Sequence, residues 1–358
     1  MRMAEFFNAT DLIPRANDST DTPVSVEPFG LGLEGDFIGF TFNGEHSSHM
    51  GITRVSNGNR FNETLLPNFQ DKTGSVAGRD GMYYFGSQYG QKPIQIQIAY
   101  DCLMEAGVRH LRRVFGDKKP HWLIFDEAPY KKYLVKISQP IQLTYICFME
   151  DNKRIYKGEG QIQFVCYSPF ARSVGKTQED IAEYFGLEDE LLPNNDEWAT
   201  ASGIASRTAL SNFDTWLSSE SPPHFNVYNP GDFPANFKLY LPFNGSTIAA
   251  GKVYYQHGNS TDIPQLEYNQ ITKNEADTNA THICINTALE VIEGAYDKNA
   301  GSENTEPEWI STGIVYNKFI KDGNFFNIPI TDTLSTADCI YVTNISGTPV
   351  LVYDYLYY

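Results

Sequence analysis

The chain is poor in the features that mark most enzymes, membrane proteins and secreted scaffolds. Nowhere does an apolar run approach the roughly 18 residues a membrane-crossing helix needs. The opening MRMAEFFNATDLIPR lacks the apolar core and small-residue cleavage site of a secretory leader, so the expectation is a protein made in a cytoplasm and not exported by a standard signal. Its five cysteines (Cys102, Cys147, Cys166, Cys284, Cys339) are odd in number and far apart, with no CxxC or Cys/His spacing. That excludes a disulfide framework and a zinc site, and predicts reduced, buried thiols. Positive charge is scarce: 27 Lys and Arg face 44 Asp and Glu, a formal net charge of −17. An acidic body repels phosphate, which argues against specific nucleic-acid binding, although it suits a smooth conduit past which DNA slides. No GxSxG, HExxH, P-loop or EF-hand pattern occurs, so no nucleophile, metal or cofactor is nominated.

What is abundant points to strands. The 358 residues suffice for two domains, and 22 Tyr with 23 Phe, punctuated by 28 Gly and 19 Pro, favour β structure. The most informative stretch runs from Gly39 to Gly90. Phe40 and Phe42 alternate with Thr41 and Asn43, and Asn43-Gly44 is a turn pair. Further on, a polar, Gly-rich middle from Asp71 to Gly81 lies between Leu65, Leu66 and Phe69 on one side and Tyr83, Tyr84 and Phe85 on the other. This is the pattern of a long hairpin or projecting loop whose tip sheds apolar residues. Its paired charges Asp71-Lys72 and Arg79-Asp80 predict an ordered loop that docks on something.

Taken in order, residues 1–35 are polar and proline-bearing, an arm or poorly ordered leader. Gly30 to Gly35 spells GxGxxG there, but with Pro28 before it and a strand-like GDFIGFTF after it the dinucleotide reading fails. Residues 36–172 read as strands, one helix, then strands. Lys92–Ala99 alternates cleanly, and the best helix spans about Asp101 to Phe115, capped by Asp101, closed by Gly116 and carrying Arg109, Arg112 and Arg113 on its outer face. Strands follow at His121–Phe125, Lys132–Ser138, Ile141–Glu150 and Gly160–Ser168. Residues 173–223 read as an acidic linker with short helices, at Thr177–Phe185 and about Ser206–Leu217. From His224 to Tyr358 short strands recur between turns, including one at Phe325–Ile330, which indicates a β-sandwich.

Three clusters invite a chemical reading. His46-Ser47-Ser48-His49 holds two histidines but sits in a turn without a third ligand nearby, so a hydrogen-bonded polar turn is expected. Asp126 and Glu127 are adjacent carboxylates in a turn, where solubility outweighs acid/base work. Trp309, Tyr255 and Tyr316 are aromatics able to stack on a sugar ring, with core or interface roles the stronger expectation.

The ordered motifs GFTFNGEHSSHMGI, LLPNFQDKTGSVAGRDGMYYFG, LRRVFG, WLIFDEAPYKKYLVKIS and GQIQFVCYSPFARS closely resemble the N-terminal domain of phage distal tail proteins, over about Gly39 to Ser173. FNVYNPGDFPANFKLYL and NKFIKDGNFFNIPI resemble segments of the family's second domain. The resemblance implies a mainly β protein: a tail-tube-like domain with one flanking helix forms a hexameric ring, and a galectin-like or carbohydrate-module-like sandwich faces outward. It implies a non-catalytic virion component that joins the tail tube to the baseplate hub or tail tip, with a receptor-binding protein or host cell-wall glycan as a further partner and no cofactor. Subunit contact is then the expected role of Asp71, Lys72, Arg79 and Asp80, with a host-glycan adhesin as the alternative function. His49-Met50 departs from the family's acidic-aromatic pair, and the leader and acidic linker are longer than the common pattern.

Overall fold

The computed structural model describes residues 39–55, 67–75, 80–150, 153–185, 199, 202–258, 260, 263–300, 307–331 and 333–358. The leader with its GxGxxG, Leu65, Leu66, Arg79 and the acidic run 186–198 lie outside the described residues. The chain divides into two compact units, residues 1–174 with Tyr358, and residues 175–357.

In the first unit, β1 (Phe40–Phe42) and β2 (Glu45–His46) pair through Asn43-Gly44, both at positive φ (54° and 77°), as a two-residue hairpin turn requires. Then come β3 (Thr53–Arg54), β4 (Phe69–Gly74), β5 (Tyr83–Tyr89), β6 (Lys92–Met104), helix α1 (Glu105–Phe115), β7 (His121–Phe125), β8 (Ala128–Ile137), β9 (Gln142–Glu150), β10 (Lys153–Cys166) and β11 (Ala171–Ser173). The main antiparallel sheet runs β2-β1-β7-β8-β10-β6-β3, with β9 added on β10 and β11 on β8. β4 and β5 form a separate two-stranded ribbon.

Phe42 anchors the core of this unit. Its ring lies 5.4 Å from Phe115 of α1, 5.3 Å from Phe164 of β10 and 5.6 Å from His121 of β7. One residue of the opening strand thus ties helix and sheet together. α1 begins later than its periodicity implies. β6 stays paired with β10 as far as Met104, so Asp101 caps nothing. It is instead a buried strand residue ion-paired to Lys157. The helix buries Leu111, Val114 and Phe115 and leaves Arg112 and Arg113 in its last turn, where they complement the helix dipole.

β10 is the longest strand, and it serves three neighbours: β6 along its length, β9 from Lys153 to Gln161, and β8 from Phe164 to Cys166. Its register with β6 slips between Tyr156 and Gly158. A Cβ on Gly158 would stand 2.0 Å from the Thr144 carbonyl oxygen of β9, so the close approach of the two backbones demands glycine.

The second unit opens with α2 (Gln178–Phe185), whose start is a reciprocal cap. Asp180 N–H donates to Thr177 Oγ1 at 3.1 Å, and Thr177 N–H donates to Asp180 Oδ2 at 3.2 Å. The helix expected at Ser206–Leu217 is a run of turns ending in β12 (Trp216–Leu217). Its apolar residues Leu210 and Phe213 close a small core with Tyr228 and have no helical stripe to form. The remaining strands are β13 (His224–Asn226), β14 (Phe237–Pro242), β15 (Thr247–Ile248), β16 (Gly251–His257), β17 (Gln265–Tyr268), β18 (Ile271–Thr272), β19 (His282–Asn286), β20 (Val291–Asp297), β21 (Trp309–Val315), β22 (Ile320–Gly323), β23 (Asp338–Val342), β24 (Val350–Tyr353) and β25 (Leu356–Tyr357). Most of them build a β-sandwich from a six-stranded sheet, β12-β13-β23-β16-β17-β22, and a five-stranded sheet, β21-β20-β19-β14-β24, while β15 and β18 form a separate pair. Phe225, Val253, Leu266 and Ile340 of the first and Leu239, Leu241, Ile283 and Ile285 of the second are buried at alternating positions.

Asn229 shows why two motif segments distant in sequence belong together. It is fully buried, and its Nδ2 donates to the carbonyls of Phe233 at 2.9 Å and of Ile328 and Pro329 at 3.2 Å each. Its Oδ1 accepts from Gly231 N–H at 3.2 Å, and its own N–H donates to Thr331 Oγ1 at 2.7 Å. The Asn-Pro-Gly turn is therefore stapled to the NIPI segment. Among the described residues Phe325–Ile330 makes a single bridge, Ile328 with Ala235, and not the expected strand, with the Asn229 side chain held against the Ile328 and Pro329 carbonyls.

All five cysteines are free. Burial pushes the thiols of Cys166 and Cys284 up to about 11 and about 12. Cys147, in contrast to the expectation, is exposed, because β9 has no buried face at that point.

Two outcomes follow from these close fits. Gly158→Val forces β9 away from β10; amide exchange in β9 accelerates and the melt of the protein drops by about 1–3 kcal/mol in a denaturant titration. Asn229→Ala removes the amide that donates to the carbonyls of Phe233, Ile328 and Pro329, of which Ile328 keeps its bond from Ala235 N–H, and costs about 1–3 kcal/mol, seen as an earlier transition for the second unit.

Candidate assembly surface

The β4–β5 ribbon exposes what a soluble monomer ordinarily covers. Pairing places Phe69 opposite Tyr89 and Gly74 opposite Tyr83, so Tyr83, Tyr84 and Phe85 stand toward the distal end. This departs from the expected hairpin, in which those aromatics marked the return to the core. Met82, Tyr84 and Phe85 are 68%, 63% and 72% exposed. The base of the ribbon is anchored: Tyr89 packs on Phe69 at 5.2 Å and on Phe170 at 5.4 Å. Asp71 accepts from Ser87 Oγ at 2.5 Å, and that hydroxyl also meets Tyr84 OH at 2.5 Å. Asp71 therefore orders the ribbon from within. Lys72 and Asp80 are exposed, and Arg79 lies outside the described residues.

A second apolar area lies on β9. Among the described residues this strand pairs with β10 along one edge and has no neighbour on the other, and every described residue from Thr144 to Met149 is exposed. Tyr145 and Met149 lie on one face and Ile146 and Phe148 on the other, with Ile146 72% exposed. An unpaired edge, apolar on both faces, is a template for another chain. Beside it, α1 and the β9–β10 pair enclose an apolar groove of about 480 Å³, floored by Leu103, Leu111 and Phe115 and walled by Leu143, Tyr145 and Tyr156. Arg112 and Glu105 line its rim. Glu105 is engaged by Arg109 at 3.6 Å and by Tyr156 OH at 3.0 Å.

The histidine turn resolves into a staple. His46 Nε2 lies 3.2 Å from both oxygens of Asp126, and its Nδ1 accepts from Ser48 Oγ at 2.7 Å and from Ser48 N–H at 3.3 Å. These partners place the proton on Nε2. The order Ser-His-Asp is formally that of a triad, but Ser48 is buried at 4% exposure and closes a local turn. Gly39 is obligatory beneath it, since a Cβ there would meet Asp126 Oδ2 at 2.2 Å and His46 Nε2 at 2.5 Å. The neighbouring carboxylate, Glu127, pairs with Arg54, whose side chain is nearly buried. Burial raises the Glu127 pKa, and the Arg54 charge partly offsets that rise. His49 is exposed, and no group of three or more His, Cys, Asp or Glu able to hold a metal occurs among the described residues.

The three candidate sugar-stacking rings occupy different settings. Tyr316 and Tyr255 are core residues; Tyr316 OH donates to Asp277 Oδ2 at 2.8 Å, and Tyr255 OH donates to Asp338. Trp309 is half-buried, stacked on Tyr240 at 4.1 Å with His282 edge-on at 4.7 Å, and closes a small cluster with Cys284, Ala295 and Val350. One face of its ring is therefore already in use.

The charge is not spread evenly. Residues 1–174 carry 19 Lys and Arg against 19 Asp and Glu, whereas residues 175–358 carry 8 against 25. The whole acidity of the chain resides in its second part, and the unit with the apolar surfaces is neutral. The sequence could not show this from its total charge.

Residues 48–166 match the phage tail protein RIFT-related domain family. No curated protein matches. Among solved structures, the chain is similar to the SPP1 Dit protein, described as a hub adsorption apparatus of phages that infect Gram-positive hosts, at 7% identity and a TM-score of 0.43, covering 90% of this chain and 100% of that one. It is also similar to a chain of the phage P2 baseplate in its activated, calcium-containing conformation, at 9% identity and a TM-score of 0.37, covering 85% and 90% of the two chains. With TM-scores below 0.5, these likenesses by themselves establish neither fold nor role. The family match falls on β3 to β10, the elements that carry the ribbon, the groove and the open edge. Residues 48–166 thus match a domain family of phage tail proteins, and the ribbon, the groove and the open edge all lie within that match.

Proposed function

We propose that this protein is a structural ring subunit at the distal end of the tail, joining the tail tube to the baseplate hub or tip. Residues 36–172 form the ring domain, and residues 224–358 form the outward sandwich beyond the stretch 173–223. The observation that carries the reading is β9, a strand apolar on both faces and paired along one edge only. A large apolar surface on a soluble chain is a contact surface, and in a tail protein the available contacts are other copies, the tail tube protein and the hub.

A neutral ring unit changes one part of the expectation. The acidic conduit for DNA cannot be argued from the net charge of −17, because residues 1–174 contribute none of it. Lys72 and Asp80 retain their proposed role in subunit contact. Asp71 acts there through the order it gives the ribbon. The adhesin alternative is left with Trp309 alone, and a glycan would find only one free ring face there.

Mass photometry of the purified full chain tests the ring. A closed assembly of six 40.4 kDa subunits is expected, and a monomer at every concentration that also fails to bind tube or hub proteins overturns the reading. Ile146→Ser removes an exposed side chain, so stability stays within about 0.5 kcal/mol of the parent while the assembled fraction falls.

A further inference from the structure

We infer that the second unit holds an alkali cation between Asp277 and a bulge in the β20–β21 pair. The site belongs to residues 175–357 and is independent of the ring reading. Two pairings frame it, Glu293 with Val315 and Ala295 with Ser311. Gly294 of β20 therefore stands alone against Thr312, Gly313 and Ile314 of β21. A bulge of this kind leaves backbone groups outside the ladder. One of them, Gly313 N–H, donates to Ser311 Oγ at 3.0 Å, and that hydroxyl donates to Glu293 Oε2 at 2.6 Å.

The loop before β19 delivers a carboxylate to this bulge. Asp277 is 2% exposed. It lies over Gly294, where a Cβ would stand 2.1 Å from Asp277 Oδ2 and 2.4 Å from Thr312 Oγ1. The missing side chain thus lets oxygens from two separate elements converge. Tyr316 OH donates to Asp277 Oδ2 at 2.8 Å and accepts from Asn274 N–H at 3.1 Å. That bond occupies one carboxylate oxygen. Asp277 Oδ1 and Thr312 Oγ1 are both buried, and neither has a hydrogen-bond partner among the described residues.

Charge decides what completes the site. Asp277 makes no ion pair among the described residues. Lys273, in the same loop, already donates to the carbonyls of Thr278 at 3.2 Å and Ala280 at 2.5 Å. A carboxylate taken out of water needs a paired charge or a metal. A water molecule satisfies the two oxygens and leaves the charge; a cation answers both. Residues 175–358 carry 8 Lys and Arg against 25 Asp and Glu, a surrounding that favours a cation further. Carboxylate, hydroxyl and bulge carbonyl are hard oxygen donors, unsuited to metals that seek thiolate. A single carboxylate balances a single positive charge, which selects sodium or potassium over calcium, whose affinity rises with the number of charged ligands. The bound ion ties the 274–280 loop to the bulge.

The full chain is melted by circular dichroism in sodium, potassium and choline chloride at equal ionic strength, and amide exchange is followed in residues 274–280. Sodium or potassium, at about tenfold its dissociation constant, raises the melting temperature by about 2–4 °C over choline and slows exchange in that loop. Asp277→Asn keeps an acceptor for Tyr316 OH but loses the charge, and the cation-specific rise disappears. Thr312→Val raises the half-saturating concentration by about tenfold, whereas Thr312→Ser keeps the parental response. The Thr312 pair decides the matter if Asp277→Asn does not fold, since both variants leave the carboxylate in place. Equal melts in all three salts, a rise that survives Asp277→Asn, a Thr312→Val response equal to the parent's, or a rise with calcium chloride alone overturns the inference.

Discussion

The first unit depends on what one strand can do. β10 has two edges, and three strands compete for them: β6 takes one whole side, and β9 and β8 divide the other. Within the β9 stretch, the register slip against β6 between Tyr156 and Gly158 and the missing side chain of Gly158 let the backbones of β9 and β10 approach closely. The consequence is that β9 is held on one side only and leaves the sheet with both faces bare. The exposed surface is therefore a product of the fold's own economy of hydrogen bonds and not an accident of composition. The groove lies at the same place, lined by α1, β6 and the β9–β10 pair.

The core shows the same dependence from the other direction. Phe42 meets α1, β7 and β10 at once, so the short opening hairpin fixes the helix against the sheet. The staple from His46 to Asp126 and the Arg54–Glu127 pair hold the following turn against the β7–β8 turn. Polar residues that read as candidate chemistry are consumed in keeping that corner shut. Glu127 illustrates the cost. Its folded pKa is raised, so the contribution of this group to stability is full below the ordinary glutamate range and is lost as pH rises through the folded value. A catalytic carboxylate would need access to a substrate; this one is committed to an almost buried arginine.

Much of the fold was legible where local pattern and tertiary role agree. His121–Phe125 is a strand with the expected bounds, and Thr177 starts a helix as expected, although its reciprocal partner is Asp180 and not a glutamate. The pattern misled where long-range pairing overrode it. Asp101 reads as a cap because a helical stripe follows, yet its backbone is held in β6 by β10. Phe325–Ile330 reads as a strand, but it makes a single bridge, Ile328 with Ala235, and is otherwise held by the Asn229 side chain. The site was half legible. The ribbon could be read from its turn chemistry, and its charged residues invited an interface. Its aromatic end could not, because pairing register alone decides whether Tyr83 to Phe85 stand at the base or the tip. The β9 surface was invisible for a related reason. An apolar strand reads as a core strand, and only topology says that it has no second neighbour.

The uneven charge then bears on how copies meet. Each second unit carries 25 acidic residues against 8 basic ones within residues 175–358. Bringing two such surfaces into contact opposes association over the Debye length of about 8 Å at physiological salt. Residues 1–174 carry equal numbers of each sign, so contact between first units meets no net repulsion and leaves apolar burial free to act. The strongly charged part keeps the chain soluble and separate from its neighbours, and the neutral part holds the aromatic ribbon, the groove and the open edge. In the proposed ring, contact between copies is thereby directed to the unit whose elements carry the tail-domain match.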